Sequence, residues 1–285
     1  MEKFNFQKFI NNKNSFNYPK DYLKQNQYLK PVILQLNITD DELEKYSSNF
    51  WAMIKNIQDQ KTIWTKECLR DSNNKLTFKQ KLKDTTEAKM YAISTFIQYL
   101  DPLILESNKF LQDKYLTNDL NANSLNKLNS LDKYIIKNLN EAKTIKKFTL
   151  NINDNDIRNS FLLYLTKELA YRMQNVAYID LVYLENQLKT TTFSKENFLK
   201  NEQWVKNLVN VKYLILDNLG TKNLNEWFIQ ILVKIIDKRL INKKPIIIGV
   251  NNSNNLLELC LKTNNKFLKE KFIVLLNKIQ PNITI

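Results

Sequence analysis

The chain has 285 residues, 43% of them apolar, and 43 Lys and Arg against 29 Asp and Glu give a formal net charge of +14. That apolar share is enough for one large domain or two ordinary ones and excludes wholesale disorder, while the charge points to an anionic partner, nucleic acid first. With no histidine and only two distant cysteines, Cys68 and Cys260, a disulfide framework, a zinc site of the usual ligand spacing and His-based nucleophilic catalysis are excluded.

The charge has a plainer account. Only four of the basic residues are arginine (Arg70, Arg158, Arg172, Arg239), and Lys, Asn and Ile abound, as codon usage in an AT-rich genome dictates. The opening segment MEKFNFQKFINNKNSFNYPK lacks the apolar stretch of a signal peptide, and no run reaches about 18 apolar residues. The expectation is a soluble cytoplasmic protein with no membrane partner.

From Ile38 to Leu105 the pattern is helical. Thr39-Asp40-Asp41-Glu42 offers an N-cap followed by first-turn acids. Phe50, Trp51, Ile54 and Ile57 then recur at helical spacing, as do Met90, Ile93, Phe96 and Ile97 before Pro102. The Asn- and Ser-rich stretch 116–131 reads as a connection into a helix ending near Leu139. From Lys146 the texture changes. The apolar runs KFTLNI (147–152), VAYIDL (176–181), KYLILD (212–217) and KPIIIGV (244–250) alternate with helical faces, among them Phe161, Leu162, Leu165 and Leu169. Strands apolar throughout and separated by helices predict a parallel sheet covered on both faces. The expected organisation is a mainly helical N-terminal domain over 1–105, a linker and leading helix over 106–145, and a doubly wound α/β domain over 146–285.

In such sheets ligands sit beyond the carboxyl ends of the strands. Asp217 ends KYLILD and Asn251 follows KPIIIGV. In an ATPase of this architecture the acid holds Mg²⁺ and the asparagine orients the attacking water; alternatively Asp217 caps a strand before a turn at Gly220. The phosphate cradle, Gly-x-x-x-x-Gly-Lys-Ser/Thr, is where the pattern fails. In NDNDIRNSFLL (153–163) Ser160 takes the place of the magnesium-binding hydroxyl, but Asn159 stands for the lysine, and Asn153 and Arg158 stand for the two glycines. The chain has two glycines in all, Gly220 and Gly249, so no glycine-rich loop exists. Asp154 and Asp156 add negative charge where a triphosphate would sit, and Asn218 replaces a second acid with an amide that cannot accept a proton from water.

The run YLILDNLGTKNLNEWFIQILVKIIDKRLINKKPIIIGVNNS (213–253) resembles bacterial helicase loaders of the DnaI/DnaC type, AAA+ proteins of the primosome. Carrying the resemblance are the strand ending in Asp217, Trp227, the helix ending Arg239-Leu240, and the Pro245-led strand reaching Asn251. RNSFLLYLTKELA and YIDLVYLENQLK extend it backward. The resemblance implies an AAA+ sheet, a helicase-docking N-terminal domain over 1–105, and the replicative DNA helicase as partner. The DnaI branch also has a zinc site there, and only Cys68 is present to supply it. No arginine answers to the family's arginine finger in NLLELCLKTNNKFLKEK, and the γ-phosphate-sensing arginine falls near Glu270 or Lys271.

Three readings follow. The first is a replication accessory protein that binds helicase, and single-stranded DNA through Lys262, Lys266, Lys269 and Lys271, without hydrolysing ATP; those lysines otherwise form a solvated helix face. No catalytic residue, resident metal or cofactor is expected, with Asp217 and Ser160 holding magnesium only if ATP or ADP still binds. The second is an unorthodox ATPase of the loader or transposition-helper type, with Arg158 replacing the lysine. The third is an inactive subunit of a mixed AAA+ assembly beside a paralogue or further copies of itself.

Overall fold

A computed structural model describes residues 20–100, 114–117, 120–141, 145, 147–152, 154–190, 195–251 and 261–285. The chain divides into two compact units, Met1–Met90 and Tyr91–Ile285. The division falls ahead of the boundary expected at 105, because the sheet of the second unit already begins at Ile97.

The first unit holds helices α1 (Lys20–Gln25), α2 (Lys30–Leu36), α3 (Asp40–Lys45) and α4 (Ser47–Gln58), then strands β1 (Trp64–Arg70) and β2 (Leu76–Leu82). The unit is mainly helical, as expected, with a hairpin inside the stretch whose spacing reads as helical. Its turn is built by side-chain chemistry: Asp71 Oδ1 accepts from the N–H of Asn73 and of Lys75, both at 2.9 Å, and Asn74 takes the left-handed conformation at φ 61°. Leu23, Leu29, Leu43 and Phe50 are fully buried, and Cys68 and Leu76 pack in the same cluster. Burial pushes the Cys68 thiol up to about 11, as befits a small core residue.

One ion pair ties helix to hairpin. Arg70 Nη1 donates to Glu42 Oε1 at 2.8 Å, while its Nε donates to the Leu36 carbonyl at 2.7 Å and its Nη2 to that of Asn37 at 3.1 Å. Glu42 also closes the capping box on Thr39. The bonds from Arg70, then from the Thr39 N–H, hold the Glu42 carboxyl down at about 2 against an ordinary 4.5. A depressed carboxyl stabilises the fold above its unfolded pKa and loses that contribution as pH falls through the folded value. The first unit is therefore expected to loosen between about pH 4.5 and 2, followed by tryptophan fluorescence of Trp51 and Trp64. Arg70→Met should flatten that acid limb and lower the stability of the unit at neutral pH.

Helix α5 (Thr86–Phe96) carries the chain across the division and stops where β3 (Ile97–Tyr99) begins. Ile97, read from spacing as part of a helical face, belongs to this strand. Helix α6 (Ala122–Asn140) follows, opened by Asn121, whose side chain accepts from the Ser124 N–H; it begins inside the stretch expected to be a connection. The remaining elements are β4 (Phe148–Asn151), α7 (Asn155–Tyr171), β5 (Val176–Asp180), α8 (Leu181–Thr190), α9 (Lys195–Asn210), β6 (Tyr213–Leu219), β7 (Leu224–Asn225), α10 (Glu226–Ile241), β8 (Ile246–Val250), β9 (Leu261–Lys262), α11 (Lys266–Asn277) and β10 (Asn282–Thr284).

The sheet is six-stranded, in the order β10-β4-β8-β6-β5-β3, and every pairing in it is parallel. The doubly wound α/β architecture read from the sequence is the one observed. Alternation along β6 sorts the two cores: Tyr213 and Ile215 pack with α6 and α7, whereas Leu214 and Leu216 pack with α9, α10 and α11. The strand order turns back around β4, so β4, β8 and β6 end together at the switch point, where such sheets bind ligands.

Candidate functional site

At that switch point lies a closed polar network. Asp217 leaves β6 on the α7 side, in line with Tyr213 and Ile215, and is fully buried. Its Oδ1 accepts from Arg158 Nε at 2.8 Å and from the Asn218 N–H at 2.7 Å, and its Oδ2 accepts from the Tyr178 hydroxyl at 2.9 Å. Arg158, also fully buried, extends from the first turns of α7. Its Nη2 donates to Asn218 Oδ1 at 2.6 Å, and its Nη1 donates to Asn155 Oδ1 at 2.7 Å and the Ile152 carbonyl at 3.1 Å. The Asn218 amide donates onward to Asp180 Oδ2. Asp180 Oδ1 in turn takes the N–H groups of Val182 and Tyr183 at the start of α8. Burial, with the Asp217 carboxylate beside it, pushes the Tyr178 phenol well above its ordinary range, so it remains a donor.

Both glycines serve this corner. A Cβ on Gly249 would lie 2.1 Å from Asp217 Oδ1, so only glycine lets the carboxylate lie across β8. Gly220 sits at φ 95°, and a Cβ there would meet the Asn251 carbonyl oxygen at 2.9 Å. Between them Asn218 adopts φ 63°, a left-handed conformation that asparagine tolerates, where the pairing of β6 with β8 shifts register.

The residues expected at the site divide. Arg158, Asp217 and Asn218 meet directly. Asn251 stands at the end of β8 and its N–H donates to the Leu219 carbonyl at 2.8 Å. Ser160 does not join them. Helix α7 opens at Asn155, so Ser160 lies in its second turn, two residues and about 200° around the axis from Arg158. Its hydroxyl donates to the Ile157 carbonyl at 2.9 Å and accepts from the Leu116 N–H at 3.0 Å. Asn159 is partly buried on the same helix, and Asn153 lies outside the described residues. Tyr178, Asp180 and Asn155 were missed. Tyr178 had a signal, a tyrosine at an inward position of an otherwise aliphatic strand; Asn155 and Asp180 had none in spacing.

A magnesium nucleotide, which this architecture implies, does not fit the residues as arranged. Asp154 caps α7 with its own carboxylate, accepting from the N–H groups of Asp156 at 2.8 Å and Ile157 at 3.0 Å, the donors a phosphate would use. Both oxygens of Asp217 are engaged, and the positive charge beside them is a guanidinium.

Three of the four lysines lie on α11, where Lys266 and Lys269 are neighbours three residues apart. On α11, Lys269 and Lys271 lie about 200° apart, on opposite sides of the buried stripe Leu268, Phe272, Leu275. Lys271 approaches Asp237 of α10 at 3.8 Å, Lys266 is exposed in the first turn, and the Lys262 side chain lies outside the described residues.

The architecture can be placed among known folds. A solved structure of DnaI superposes with a TM-score of 0.50 over 67% of this chain and 95% of that one, at 16% identity. The chain has the DnaI fold. A solved DnaC helicase loader matches at a TM-score of 0.45 and 17% identity, covering 63% of this chain and 99% of its own. No protein-family model and no curated protein matches the chain in sequence. Within this DnaI-like fold the α/β sheet carries the Asp217 network at its switch point. Among the described residues no helix is long and apolar enough to cross a membrane.

Proposed function

We propose that this protein is a DNA-replication accessory factor of the helicase-loader kind, which binds the replicative helicase without hydrolysing ATP and needs neither ATP nor ADP. The DnaI fold and the resemblance across 213–253 support the helicase as partner, with residues 1–105 as the docking region. The observation that carries the absence of an ATP cycle is the Arg158–Asp217 pair: the chain's own cation occupies the acid on which a nucleotide's magnesium would depend. The ATPase reading asks Arg158 to bind phosphate, which it can do only by abandoning Asp217 in a buried site. Single-stranded DNA is a second partner in this proposal. Lys266 and the neighbouring Phe267, 75% exposed, offer a phosphate contact and a stacking face, with Lys269 one turn on from Lys266 and Lys271 one turn on from Phe267.

The test is an equilibrium titration of the full chain against the helicase hexamer of the same cell, with and without magnesium ATP. Binding in the micromolar range or tighter, with a Kd changed less than about twofold by nucleotide, is the expected result. A tenfold nucleotide effect, or ATP hydrolysis abolished by Asp217→Ala, would overturn the nucleotide-free reading. Absence of binding under both conditions would remove the helicase.

A further inference from the structure

Far from the Asp217 network, a groove of about 540 Å³ runs along the sheet margin between α6 and β10. Its walls are apolar: Leu131 and Tyr134 from α6, Phe148 from β4 and Ile283 from β10. Lys127 and Lys147 stand among them, and none of the lining residues is acidic. Tyr134 is 51% exposed, so the groove opens to solvent.

Beside it lies an unpaired strand edge. β10 is the outermost strand of the sheet and pairs only with β4 among the described residues. The Thr149 N–H donates to the Pro281 carbonyl and the Ile285 N–H to that of Asn151, so Pro281, Ile283 and Ile285 direct their main chain inward. Asn282 and Thr284 therefore direct theirs outward. The Asn282 N–H is engaged by Gln280 Oε1 at 3.2 Å, which leaves the Asn282 carbonyl and both main-chain groups of Thr284 facing out. Ile283, between them, points its side chain into the groove.

A strand edge and an apolar groove that share one residue form a single receptor. We propose that this margin takes up an extended acidic segment of a partner protein, which adds a strand beside β10, sends alternate apolar side chains into the groove and sets its acids against Lys127 and Lys147. Charge selects this occupant. A second copy pairing edge to edge would bring the same lysines together in a chain already at +14. A nucleic acid would satisfy the lysines but has neither a strand backbone for Thr284 nor alternating apolar groups for the walls. The proposal is independent of the nucleotide-free loader reading.

The probe is a short synthetic peptide alternating Glu with Ile or Val, titrated against the full chain. Its Lys-for-Glu counterpart and a thymidine oligonucleotide serve as comparisons. The acidic peptide should bind and should slow amide exchange at Thr284. Lys127→Glu with Lys147→Glu should weaken it about tenfold. Thr284→Pro should weaken it as much, because it removes the outward N–H while leaving the bonds to β4 in place. Circular dichroism and thermal melting check that both variants keep the fold. Equal binding of the acidic and basic peptides, or affinity unmoved by charge reversal, would overturn the proposal. So would indifference to Thr284→Pro, since the peptide would not then be adding a strand. An oligonucleotide that binds more tightly and displaces the peptide would reassign the margin to nucleic acid.

Discussion

Arg158→Met is expected to destabilise the second unit by about 3–5 kcal/mol, and Asp217→Asn by a similar amount, read by urea denaturation. Each single change leaves a buried charge, or a set of buried donors, without its partner. The guanidinium and carboxylate are both fully inaccessible at 2.8 Å, so water cannot replace what is lost. The double variant should cost clearly less than the two single costs added together, because the second change removes the charge the first left stranded. The Tyr178 hydroxyl and the Asn218 N–H still donate to the residue at 217, so the double variant does not return to the parent's stability. Losses below about 1 kcal/mol, with additive effects, would mean that the corner is open to solvent. The nucleotide-free reading would then lose its support. The same variants read function: magnesium ATP should leave the parent's Tm unchanged, since a ligand stabilises only the state it binds.

How much of this was legible in the sequence depends on whether the signal was local. β4, β5, β6 and β8 were legible because each is apolar throughout and is bounded by polar turns, as a strand buried on both faces must be. β3 was not. Ile97 continues the spacing of Met90, Ile93 and Phe96, and only pairing with β5 decides that it is a strand. The β1–β2 hairpin was hidden by polar strands, although the Asp71 and Asn74 turn was there to be read. At the site, Asp217 and Arg158 were picked out for the opposite reason to the one the structure gives. A motif alignment makes Arg158 a failed glycine, but spacing cannot say that α7 starts at Asn155 and turns this side chain onto Asp217. Gly220 and Gly249 were the better clue. In a chain with two glycines, both lie around one carboxylate, because backbone crowding there leaves no room for a Cβ.

The second large effect is expected at Arg239, which is fully buried and, among the described residues, donates to backbone carbonyls rather than to a carboxylate. Its Nη1 donates to the carbonyls of Leu208 at 2.8 Å, Val209 at 3.2 Å and Val211 at 2.8 Å, and its Nη2 to that of Lys212 at 3.0 Å and to that of Pro245. The first two belong to the last turn of α9, where helix carbonyls lack partners and a cation is favoured. The others belong to the segments entering β6 and β8. One planar fork thus fixes the end of a helix to the starts of two central strands, a geometry that a point-charge ammonium does not reproduce. Burial pulls its pKa down to about 10, so it is still charged at neutral pH. Arg239→Met should strand these carbonyls and cost about 3–5 kcal/mol by denaturation, against about 1–3 kcal/mol for Arg239→Lys, which restores some of the bonds. Because the loss is at the opposite ends of the strands from Asp217, its cost should add to that of Arg158→Met within about 0.5 kcal/mol. A large coupling between the two would mean that the ends of the sheet do not act independently, and that the Asp217 network is reached through β6 itself.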